Sequence, residues 1–226
     1  AMEHAGRTGG LPFVGVGWYR TEFDVPQFQA GKRATILFDG AMSHANVYIN
    51  GQKVGYWPYG YNSFHFDITK YLKPGEKNTL AVRLENLPES SRWYPGAGLY
   101  RNVHLIITED AYIPVWGTYI TTPSVNEKFA KVNVRTKVVL PEGADPAKYS
   151  VETSVWNPNK QKLTAVRTSL AQMKYNNNQA EQEFVIQAPS LWSPEMPALY
   201  SAETRLYEGD KLKDIYTTPF GIRSIE

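Results

Sequence analysis

The chain contains no cysteine. Disulfides, thiolate nucleophiles and thiolate metal sites are excluded together, and the redox character of its compartment stays open. No run of about 18 apolar residues occurs, so no segment reads as a membrane-spanning helix. An excess of charge of one sign is also missing. The 24 Lys and Arg stand against 22 Asp and Glu, for a net charge of +2. So weak a field points to no nucleic acid and no membrane as partner. No leader with basic and apolar regions is visible at the start. Long stretches of 3.6-residue periodicity are absent, which removes the amphipathic helix as a building block.

Several catalytic patterns are missing as well. His4, His44, His65 and His104 show no two-ligand spacing, and no Asp-rich loop suggests calcium, so neither a metal nor a cofactor is expected. There is no Gly-x-Ser-x-Gly elbow. Gly15-Val16-Gly17 lacks the third glycine and the following helix that a phosphate cradle needs. Glycoside hydrolysis usually requires two carboxylates about 5–5.5 Å apart for retention. The acidic residues here sit mostly at outward strand positions or in turns. Asn126-Glu127 has the look of an acid/base dipeptide, but its polar surroundings read as a solvated turn.

What is present is alternation. Tyr19, Phe23 and Val25 share one side of a first strand over 18–25, and Ala34, Ile36 and Phe38 one side of a second over 32–39. His44 to Asn50 forms a third. Asn50-Gly51 then gives a strong hairpin signal, because both residues tolerate the positive φ of a type I′ turn. Val47-Tyr48-Ile49 therefore pairs with Lys53 to Tyr56. Asn62 to Ile68 follows, with Phe64, Phe66 and Ile68 inward, and Lys73-Pro74-Gly75-Glu76 is a turn. Strands over 79–85 and 101–109 close this half. Near residue 110 the pattern restarts, with Ala111-Tyr112-Ile113-Pro114 as linker. Seven more strands follow, over 115–122, 129–140, 149–156, 163–169, 180–187, 198–207 and 213–217. Such spacing is that of an immunoglobulin-like sandwich. The fold class is all-β with two sandwich domains.

Between the strands 79–85 and 101–109 lies Ser90-Ser91-Arg92-Trp93-Tyr94-Pro95-Gly96-Ala97-Gly98-Leu99-Tyr100-Arg101. A loop that only connects needs no large aromatics, and loops held between strands often carry binding residues. Arg92 suits hydroxyls or a carboxylate, and Trp93 or Tyr94 suits the face of a pyranose. An equally good reading has Trp93 and Tyr94 pinning the loop to its own or a neighbouring domain, with Arg92 in a structural salt bridge.

Four stretches, in order, resemble the non-catalytic amino-terminal region of glycoside hydrolase family 2, which includes β-galactosidases, β-glucuronidases and β-mannosidases. Gly15 to Arg20 looks like the start of the family's sugar-binding-type jelly roll. Val47 to Gly55, with Gly60-Tyr61 and Phe64 to Thr69, resembles its central hairpin and next strand. Ser91 to Arg101 resembles its most recognisable amino-terminal loop, in wording closest to β-galactosidase-like members. Phe220-Gly221-Ile222-Arg223 resembles the lead from the immunoglobulin-like domain into the catalytic barrel.

The resemblance implies a jelly roll over 1–110, short of its first strand because only 17 residues precede Trp18. An immunoglobulin-like sandwich over 111–221 follows, and then a linker from 222 to 226 towards a barrel beyond Glu226. Both catalytic glutamates belong to that barrel, so no catalytic residue is expected here. Asn86, Arg92, Trp93 and Tyr94 are the implied substrate contacts. The implied partners are a carbohydrate substrate and the barrel in cis, together with copies of the chain in a homo-oligomer. The compartment is left between bacterial periplasm and cytoplasm. The rival function is a stand-alone carbohydrate-binding module with an immunoglobulin-like spacer, and a third is a purely structural interaction domain.

Overall fold

The computed structural model describes residues 15–27, 31–87, 96–171 and 179–224. It divides the chain into two compact units, Ala1–Ile107 and Thr108–Glu226. Each is a sandwich of two β-sheets.

The first unit contains β1 (Gly15–Asp24), β2 (Arg33–Phe38), β3 (Ala45–Ile49), β4 (Gln52–Trp57), β5 (Phe64–Asp67), β6 (Lys77–Asn86) and β7 (Val103–Thr108). One sheet has the order β1-β6-β3-β4 and the other β5-β2-β7. The alternation read from the sequence sets which side chains face inward. Ala34, Ile36 and Phe38 of β2, Val47 and Ile49 of β3, and Leu80, Val82 and Leu84 of β6 are all buried in one core. Each of the larger ones contributes about 1.5–3 kcal/mol by leaving water. At one end of this core Phe64 stacks on Phe38, with ring centroids 4.8 Å apart, and on Trp57 at 5.6 Å.

Two turns close the opposite end. Ile49 pairs with Gln52 across a two-residue loop, and Asn50 and Gly51 have φ of 50° and 79°. That is the expected type I′ geometry. Lys73 to Glu76 closes with the Glu76 N–H on the Lys73 carbonyl at 3.2 Å, with Gly75 at φ 78° after Pro74. This is the signature of a type II turn. Buried Asn78 joins the two turns. Its side-chain oxygen accepts from Asn50 Nδ2 and the Lys73 N–H, and its amide donates to the Lys73 and Glu76 carbonyls.

The second unit contains β8 (Thr118–Val125), β9 (Phe129–Lys137), β10 (Tyr149–Trp156), β11 (Lys162–Ser169), β12 (Gln179–Gln187), β13 (Tyr200–Glu208) and β14 (Lys211–Phe220). Its sheets run β12-β9-β8 and β11-β10-β13-β14, so the fourth strand joins β10 and leaves β12 at an edge. The inward residues form two apolar clusters, one around Val132, Phe184 and Tyr200 and one around Val138, Val151 and Leu206. Among the described residues of this unit, Thr136, Thr153, Ser154, Gln182 and Thr204 are the buried polar ones. Gln182 Nε2 donates to the Val151 and Val166 carbonyls, tying β12 to the facing sheet.

Two strands run further than the sequence reading placed them. β8 continues past Pro123 through an irregularity in its pairing between Thr121 and Ser124, and β14 continues through Pro219 to Phe220. Both are edge strands. There a proline needs no partner for its missing N–H.

Candidate functional site

Three connections of the first unit meet at the end marked by the Phe38–Phe64 stack. These are 39–44 after β2, 58–63 after β4, and 87–102 after β6. The backbone clamps them to one another. Glu85 N–H donates to the Ser43 carbonyl at 2.9 Å, and Ser43 Oγ donates to the Glu85 carbonyl at 3.0 Å. Met42 and Gly98 exchange two N–H···O bonds of 3.0 Å each. The two sides of the loop that carries the candidate residues are therefore fixed on consecutive residues, Met42 and Ser43. Asp39 N–H donates to the Asn102 carbonyl at 3.0 Å, His44 N–H to the Pro58 carbonyl at 3.1 Å, and Tyr100 Oη to the Gly60 carbonyl at 2.7 Å.

Of the residues named from the sequence, Asn86 ends β6 opposite Gly15, half-buried at the root of this loop. Arg92, Trp93 and Tyr94 lie outside the described residues. The structure adds Tyr59, which the sequence reading did not mention, and brings forward Tyr61 and Tyr100, which it quoted only within longer motifs. Tyr59 and Tyr61 are 55% and 47% exposed and stand edge to face with centroids 5.6 Å apart. Tyr100, also exposed, covers Gly40. The signal for Tyr59 and Tyr61 was the triplet Tyr59-Gly60-Tyr61 directly after Pro58, in a loop too short to need two rings.

The polar groups here are held in pairs. Arg83 hydrogen-bonds Glu85, and this bond holds the Glu85 carboxyl below the usual carboxylate range, against a smaller desolvation effect. His104 Nε2 lies 2.9 Å from Asp39 Oδ2, and His44 Nδ1 2.6 Å from the Tyr56 hydroxyl. Oriented hydroxyls, amides and exposed ring faces are the chemistry of sugar recognition. A general acid needs the opposite of what Glu85 has, a raised pKa. In the second unit, Asn126 accepts from the N–H groups of Lys128 and Phe129, so Asn126-Glu127 belongs to a turn. Among the described residues no three His, Asp or Glu side chains gather as a metal site would require.

Residues 12–109 match the family model described as glycosyl hydrolases family 2, sugar binding domain, and residues 112–223 match the model described as glycosyl hydrolases family 2. The chain belongs to glycosyl hydrolase family 2. Within that family it is 40% identical to a β-galactosidase, BoGH2A, of Bacteroides ovatus, over 99% of this chain and 26% of that protein. It is 30% identical to a β-glucuronidase of Formosa agariphila, over 94% of this chain and 24% of that protein. Among solved structures, a glycosyl hydrolase family 2 member of Bacteroides cellulosilyticus superposes with a TM-score of 0.84 at 33% identity, covering 95% of this chain and 29% of that one. The chain spans about a quarter of the length of the curated family 2 relatives it matches.

Proposed function

We propose that this chain is the non-catalytic amino-terminal part of a retaining family 2 glycosidase of β-galactosidase type, with a catalytic barrel in the same polypeptide. The functional division proposed is a sugar-binding-type jelly roll over 1–110 and an immunoglobulin-like domain over 111–221, with the lead into the barrel from 222. The chain supplies scaffold, contacts between copies, and part of the rim of the substrate site. The rim consists of Asn86, Arg92, Trp93 and Tyr94, and the connection 58–63 adds Tyr59 and Tyr61.

The observation that carries this reading is the double clamp on Met42 and Ser43. It anchors both sides of a loop rich in aromatics and Arg, as a rim presented to a substrate requires. Relatives named β-galactosidase and putative β-glucuronidase stand at 40% and 37% identity, so the choice of the galactoside rests on the wording of the loop 91–101. Retaining hydrolysis needs one carboxyl as acid/base and a second as nucleophile.

The test is hydrolysis of aryl β-galactoside, β-glucuronide and β-mannoside by the purified chain and by the polypeptide that includes the barrel. The chain alone is expected to give no turnover above a heat-denatured control, and the longer polypeptide to cleave the galactoside with retention. Turnover by the chain alone overturns the proposal.

A further inference from the structure

The outer face of the sheet β1-β6-β3-β4 carries a feature that the rim reading does not use. Outward residues of β1 and β3 face each other across β6, whose outward side chains Thr79 and Ala81 are small, while Arg83, in register with Trp18, is held by Glu85. The register sets Arg20 beside Ala81 and Tyr48 on the other side of the same residue. Trp18 leans over this low strand towards Tyr48, with ring centroids 5.6 Å apart and planes tilted by 38°. The result is a trough of about 800 Å³ lined by Trp18 and Arg20 of β1, Tyr48 of β3 and Lys73 of the 73–76 turn. That size falls within the range of small-ligand sites.

Two properties set this trough apart from an ordinary solvated sheet face. Trp18 is 59% exposed. A large indole left in water on a strand forgoes the burial that usually accounts for it. Arg20 and Lys73 have no side-chain hydrogen bond or ion pair among the described residues. The neighbouring acid on the same face, Glu22, is engaged by Lys77 at 3.9 Å, so it does not neutralise them. Ring faces bind the C–H faces of pyranoses, and an unpaired guanidinium binds a carboxylate in two-pronged fashion.

We propose that this trough is a second carbohydrate site that takes an oligosaccharide bearing carboxylates, an oligouronide. The site goes beyond the rim reading. It lies on the outer sheet face and the 50–51 and 73–76 turns, away from the connections 39–44, 58–63 and 87–102, so its failure leaves that reading untouched.

The test uses the 226-residue chain, titrated with tetragalacturonate and, separately, with the neutral β-1,4-galactotetraose, followed by calorimetry and tryptophan fluorescence. Saturable binding of the uronide is expected, weakening as salt is added. Trp18→Ala is expected to weaken it about tenfold. Arg20→Gln is expected to weaken the uronide about fivefold and leave the neutral sugar unchanged. Met196→Ala, an exposed position in the second unit, is expected to have no effect. Circular dichroism confirms that each variant folds, and Arg20→Gln carries the test if Trp18→Ala does not. No uronide binding, binding that survives both substitutions, or equal binding of the neutral tetraose overturns the proposal.

Discussion

Asn78 shows how much one buried amide can hold in this fold. Its side chain makes four hydrogen bonds, two accepted and two donated, and joins the Asn50-Gly51 and Pro74-Gly75 turns. Asn78→Ala leaves buried backbone groups without partners and is expected to cost about 3 kcal/mol in urea unfolding. A loss within about 0.5 kcal/mol contradicts that role. The residue was not legible beforehand. The inward series Leu80, Val82, Leu84 extends back to position 78, but an Asn there reads as the polar end of a strand. Asp214 is a second case. Burial raises its carboxyl above the ordinary aspartate range, and the N–H groups of Ile113 and Ile215 only partly oppose this. A raised pKa means that the folded state holds the proton more tightly than the unfolded one. The stability this group contributes is therefore full below the unfolded value and is lost as pH rises through the folded one. In an NMR titration the Asp214 carboxyl is expected to titrate above about pH 3.9, the ordinary aspartate value. A midpoint below that value contradicts the assignment.

At the scale of elements, the hairpin β3–β4 was the part most readable from the sequence, because Asn-Gly fixes both loop length and register. A Cβ at Gly51 would meet nothing within 4 Å, so the cost of Gly51→Ala comes from its φ of +79° alone. That cost is expected to be about 1 kcal/mol by thermal or urea unfolding, and a neutral result contradicts the type I′ turn. Strand ends were less legible where proline intervened. The sequence reading stopped β8 before Pro123 and β14 before Pro219. Only the sheet order, which puts both at edges, explains why they continue. Tyr19 shares the inward side of β1 with Phe23 and Val25, as the alternation requires, yet it is 42% exposed. β1 is the edge of its sheet, and the Tyr19 hydroxyl reaches out to Gly98 and so supports the end of the aromatic loop. Sequence period gives the side of a strand, but its position in the sheet decides how far that side is covered.

At the scale of the molecule, two sandwiches built from alternating strands were legible in full, because period and turn chemistry agree along the chain. The site was legible only in part. Loop residues 90–101 stood out by composition, but the partners of Gly98, Tyr100 and Asn102 come from 39–44 and 58–63, brought close by pairing that no local pattern encodes. Tyr59, Tyr61 and the Met42–Ser43 clamp belong to that class. The most direct measurement is steady-state hydrolysis of an aryl β-galactoside by the barrel-containing polypeptide, wild type against Trp93→Ala and Tyr61→Ala. A rim that binds substrate equally in ground and transition states raises KM when truncated and leaves kcat alone. The expected result is a KM higher by about fivefold to tenfold with kcat within about twofold. An unchanged KM in both variants contradicts the claim that this chain shapes the substrate site.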